Sequence, residues 1–119
     1  MKKGALLILF MVLLSNSSLL LAQTEPEEIK QDTNQFQEFF YASLLQKGIE
    51  NYDKAIKALE ECMKLQPNNA TVYFELGKNY LALKDYEKAY NSFQQATTID
   101  PTNKWFWVGM YDVSFQTKN

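Results

Sequence analysis

From Phe36 onward the apolar residues recur at three- and four-residue steps, the period of an α-helix with one buried face. Leu76 and Tyr80 follow one such step, Phe93 and Ala96 another. Asn51 and Asp85 stand just before two periodic runs. They suit the N-cap position, where a short side-chain acceptor satisfies a free helix N–H. Pro67 and Pro101 stand just past the same two runs and push Gln66 and Asp100 out of helical geometry. The spacing predicts helices near 37–48, 53–65, 70–83, 87–99 and 104–116.

These runs repeat. Asn51-Tyr52-Asp53-Lys54-Ala55 returns 34 residues later as Asp85-Tyr86-Glu87-Lys88-Ala89, and Leu65 to Asn69 returns as Ile99 to Asn103. Phe39, Tyr73 and Trp107 keep the same spacing. The copy from Ala70 to Asn103 reads Tyr73-x2-Leu76-Gly77-x2-Tyr80, then Ala89-x3-Phe93, Ala96 and Pro101. This resembles the tetratricopeptide repeat. The copy from Phe36 to Asn69 is more degenerate: it keeps Phe39, Ala42, Ala55, Leu59 and Pro67 but has Gln46 in the place of Tyr80. A third copy starts at Lys104 and departs at Tyr111, where a small residue is expected, and at Ser114. The resemblance implies an all-α fold of antiparallel helix hairpins stacked into a right-handed superhelical solenoid. A single repeat cannot bury its apolar face, so neighbours must stack. Gly77 and Ala89 are small at matching points of successive helices, which lets the axes approach.

Before the repeats the pattern changes. Lys2 and Lys3 precede an apolar run from Ala5 to Leu14, four polar residues from Ser15 to Ser18, and a second apolar patch from Leu19 to Ala22. Residues 1–22 read as a secretory signal peptide, cleaved after Ala22. The competing reading is an uncleaved anchor, since Gly4 to Ala22 is 19 residues, just long enough to span. Residues 23–35 are polar apart from Ile29 and read as a flexible linker. The domain boundaries are therefore 1–22, 23–35 and 36–119, with repeats at 36–69 and 70–103 and a partial repeat at 104–119. The expected location is periplasmic, cell-envelope or secreted.

Composition narrows the chemistry. The 119 residues contain no His, and the single Cys, Cys62, forms no disulfide framework or thiolate cluster within the chain. The 12 basic residues are all Lys, so bidentate arginine recognition of phosphate or carboxylate is missing. A net charge of −2, or −4 once Lys2 and Lys3 are removed, gives no footprint for nucleic acid. Glu60 and Glu61 are adjacent and do not share a helix face, so they read as solvated charges rather than an acid/base pair. Cys62 aligns with Ala96 and reads as a small buried hydrophobe. No cofactor, metal or catalytic set is expected, and the chain reads as a non-enzyme.

In tetratricopeptide proteins the first helix of each repeat lines a concave surface for extended or helical peptides. Carried over, the lining positions are Gln37, Phe40, Leu44 and Lys47, then Thr71, Phe74, Lys78 and Leu81, then Trp105, Val108, Asp112 and Phe115. Phe40, Leu44, Phe74, Lys78, Leu81, Trp105, Val108 and Phe115 are the candidate peptide contacts. Phe40 and Leu44 stand where chaperone-tail binders carry Lys and Asn, which disfavours that mode. The mostly apolar lining suits an apolar peptide or partner helix. The alternative is that these aromatics pack against neighbouring repeats. The expected function is a protein-interaction module or scaffold of an exported protein. The alternatives are the N-terminal targeting part of a larger enzyme and a membrane-tethered adaptor. The apolar crowding of 105–115 leads to the expectation of further repeats beyond Asn119.

Overall fold

The periodic segments fold as antiparallel helices. A computed structural model describes residues 32–118 of the chain. Helix α1 covers 32–48 of these, followed by α2 (Tyr52–Leu65), α3 (Ala70–Ala82), α4 (Tyr86–Ile99) and α5 (Lys104–Thr117). The proposed signal segment, its cleavage site and residues 23–31 lie outside the described residues. Residues 32–35, expected to be linker, already form the exposed first turn of α1. The polar composition of that turn did not stop it from extending the apolar-faced helix that follows.

The turns repeat with the sequence. Each hairpin closes on a left-handed residue, Glu50 at φ 63° and Lys84 at φ 60°. Beyond it, Asn51 N–H donates to the Gln46 carbonyl at 2.8 Å, and Asp85 N–H donates to the Tyr80 carbonyl at 2.9 Å. These bonds satisfy carbonyls that the helix ends leave free. Between repeats, the residues before proline sit in extended geometry: Gln66 at φ −136°, ψ 80° and Asp100 at φ −132°, ψ 88°. The Tyr73 hydroxyl donates to the Pro67 carbonyl and Trp107 Nε1 to the Pro101 carbonyl, both at 2.9 Å. Equivalent aromatics thus tie equivalent proline turns to the helix that follows.

Caps divide unevenly. Asp85 accepts from Lys88 N–H at 3.3 Å, as its position suggests. Asn51 holds the N-cap position of α2, but its side chain makes no capping bond. Asn69 and Asn103 do cap, accepting from Thr71 N–H at 3.1 Å and Trp105 N–H at 3.0 Å.

Two apolar clusters hold the stack. Ile56, Leu59, Cys62, Val72 and Leu76 are buried, with Phe36, Phe39 and Phe40 of α1 packed against them. Ala89, Phe93 and Val113 form the second cluster, joined by Phe74, Leu81 and Met110. Leu59 and Phe93 occupy equivalent repeat positions and are both buried. Phe93 is flanked by glycine on both sides. A Cβ on Gly77 would lie 2.5 Å from its ring, and a Cβ on Gly109 would lie 2.6 Å from it. The close approach at Gly77 is therefore to the Phe93 ring rather than to Ala89, which is itself buried. The small residue that α5 needs is Gly109, two positions before the expected place at Tyr111.

Candidate functional site

The first helices α1, α3 and α5 carry the residues assigned to the groove. Among these helices, α3 also carries a buried carboxylate. Glu75 follows Tyr73 and Phe74 on α3 and is only 7% exposed. Lys47 of α1 donates to its Oε2 at 2.7 Å, and Lys78, one turn on, meets its Oε1 at 2.6 Å. A buried ion needs a partner to offset lost hydration, and here one carboxylate has two. The triad carries a net single positive charge.

Aromatic rings frame this charge. Lys78 Nζ stands 4.6 Å from the centroid of Phe74. Phe74 in turn packs at 5.7 Å on Phe93 and at 5.1 Å on Phe106 of α5, centroid to centroid. Burial holds the Lys78 ammonium below its usual pKa, and the hydrogen bond it donates to Glu75 works in the opposite direction. Asn79 lies one turn beyond Glu75, fully buried. Its Nδ2 donates to the Glu75 carbonyl at 2.8 Å, while its Oδ1 has no partner. Gln46 Oε1 is a second buried acceptor without a partner.

Lys47, Phe74 and Lys78 are thus brought together around Glu75. Phe40 is half-buried, stacks on Phe36 at 5.8 Å and packs on the first core cluster. Leu44 is half-buried on α1, and Leu81 is half-buried against the second cluster. Gln37, Thr71 and Asp112 are exposed. Trp105, Val108 and Phe115 are exposed on α5, and Phe115 stacks on Tyr111 at 6.2 Å. The positions carried over from the repeat resemblance do not include Glu75. The available signal was an acid set among Tyr73, Phe74 and Leu76 and three residues before Lys78.

Away from this face the chemistry is quiet. Cys62 is fully buried, and its thiol lies 3.7 Å from the Phe36 carbonyl. Burial pushes the thiol up to about 11, so at neutral pH it is protonated and not nucleophilic. Glu60 is exposed, and Glu61 pairs with Lys64 at 2.8 Å on the surface. No group of metal-ligating side chains occurs among the described residues. No helix among them is long and apolar enough to cross a membrane.

Comparison with known proteins agrees with the repeat. The family described as "Regulator of microtubule dynamics protein 1-3" matches residues 32–105. Tetratricopeptide repeat protein 12 of Mus musculus is 36% identical over 72 residues, covering 60% of this chain and 9% of that protein. Cell division cycle protein 27 homolog A of Arabidopsis thaliana is 35% identical over 63 residues, covering 53% of this chain and 9% of that protein. The chain therefore spans under a tenth of the length of either relative. A solved MamA mutant structure superposes with a TM-score of 0.63 at 22% identity, covering 70% of this chain and 46% of that one. It shares the stacked helix-hairpin fold.

Proposed function

This chain belongs to the regulator of microtubule dynamics protein 1-3 family and has the tetratricopeptide-like helical-repeat fold, and from that premise we propose that it is a non-enzymatic protein-interaction module whose α1–α3–α5 face takes a peptide. The microtubule role in the family description stays with the proteins it was given for. The observation that carries the reading is the face itself. Phe40, Leu44, Phe74 and Leu81 offer apolar contacts that are half-buried. The Lys47–Glu75–Lys78 triad supplies one net positive charge among them. Such a surface suits an apolar extended segment or helix carrying one acidic side chain.

A random-peptide display library panned on the protein tests this. Enriched peptides are expected to be apolar with an Asp or Glu, and to lose binding to Leu44→Glu and Lys78→Ala. They should still bind Tyr90→Ser, a change on α4. Selection of basic peptides, or loss of binding in the Tyr90 variant alone, contradicts the groove.

We further propose that the module works outside the cytoplasm, delivered by residues 1–22. The support is the lysine pair, the apolar run and the polar interruption at Ser15 to Ser18. The intact mass of the exported protein should match a chain beginning at Gln23. A membrane-embedded full-length product would replace this reading with a tethered adaptor.

A further inference from the structure

The Lys47–Glu75–Lys78 triad has an inner and an outer side. Glu75 is the inner member. It is buried, and both of its carboxylate oxygens are taken, Oε2 by Lys47 at 2.7 Å and Oε1 by Lys78 at 2.6 Å. The lysines are the outer members, with side chains 29% and 36% exposed. Among the described residues, Glu75 is the one acceptor that either ammonium has. An ammonium carries three N–H donors, so each lysine keeps donors for a ligand.

Glu75 limits the charge that such a ligand can bring. Its two cations offset the hydration it has lost, so a ligand that drew either lysine away would strand a buried ion. The ligand has to share the lysines rather than remove them. A single carboxylate does so: bridging the outer N–H groups, it sets two ammoniums between two carboxylates and brings the site to neutrality. A phosphoryl group does not. It carries a charge of about −1.5 to −2 at neutral pH and would leave surplus negative charge beside Glu75, where burial weakens screening by salt.

We propose that Glu75 is the specificity-determining residue of this face: it restricts the acidic contact of a bound peptide to one carboxylate and rejects a phosphorylated side chain in its place. The proposal rests on the peptide-binding reading above and adds the charge class of the ligand and the residue that sets it. The surroundings of Lys78 agree. Burial lowers its pKa, the hydrogen bond it donates to Glu75 opposes that, and the Lys47 ammonium adds to the lowering. Its Nζ also stands 4.6 Å from the Phe74 centroid, which fixes it on α3 facing the ligand side. Without the charge of Glu75 the seat would hold two facing ammoniums, which a dianion matches better than a single carboxylate.

Calorimetric titration with one display-selected peptide, synthesised with Glu, Gln or phosphoserine at its acidic position, tests the proposal. The wild-type protein should bind the Glu form roughly tenfold or more tighter than the phosphoserine form. Glu75→Gln, checked for unchanged helicity by circular dichroism, should level or reverse that order. Lys47→Gln, which leaves the triad neutral, should bind the Gln form as well as the Glu form. A wild-type protein that takes the phosphoserine form as tightly as the Glu form overturns the proposal, whether or not the Glu75 variant folds. So does a folded Glu75→Gln protein that keeps the wild-type order, which leaves Glu75 a structural link between α1 and α3. Failure of the peptide-binding reading looks different: no form binds, or Leu44→Glu weakens none of them, and this proposal then falls with it.

Discussion

Glu75 shows how a single residue sets the character of a surface. Without it, Lys47 and Lys78 would be two repelling ammoniums on one face; with it, they are held at 2.7 and 2.6 Å. Phe93 has the opposite role, filling space that two glycines leave open. Because its ring is buried and touched from both sides, it cannot yield to an added methyl. Gly77→Ala and Gly109→Ala are each expected to destabilise by about 1–3 kcal/mol in urea melts. Gly48→Ala meets nothing within 4 Å and should be neutral or gain up to about 1 kcal/mol. Equal effects at the three sites would mean that Phe93 is not clamped. The sequence flagged Gly77 through the repeat pattern. Gly109 stayed hidden because no pattern position asks for glycine there. Glu75 stayed hidden because its partner Lys47 lies 28 residues away.

At the scale of the helices, periodicity and repeat arithmetic placed every second helix and turn closely. The expected 53–65 and 87–99 became Tyr52–Leu65 and Tyr86–Ile99. Proline made the turns legible, since it restricts the residue before it whatever the tertiary context. Caps were less legible, because Asn51 and Asn69 look alike in sequence while only Asn69 turns its oxygen to a helix N–H. Asn69→Ala and Asn103→Ala should therefore cost about 1 kcal/mol each in denaturant melts, within the usual range for caps. Asn51→Ala should cost clearly less. A full-sized loss at Asn51 would show that its side chain caps α2 in solution.

For the molecule as a whole, stacking sets two helix hairpins and a fifth helix against one another. Core residues of α2 and α4 hold α1, α3 and α5 side by side, which brings Lys47 of α1 to Glu75, 28 residues away, beside Phe74 and Lys78 on α3. The resemblance to tetratricopeptide repeats supplied a set of candidate lining positions. It gave no hint of the buried charge, which depends on the interior position of Glu75. The most direct test of the interaction face is nuclear magnetic resonance mapping of the protein titrated with a display-selected peptide. Backbone and side-chain shifts should concentrate at Phe40, Leu44, Lys47, Phe74, Lys78 and Leu81, leaving the exposed side of α4 around Glu87, Tyr90 and Asn91 unmoved. Shifts centred on α4 instead, with the Lys47–Glu75–Lys78 triad silent, would contradict it.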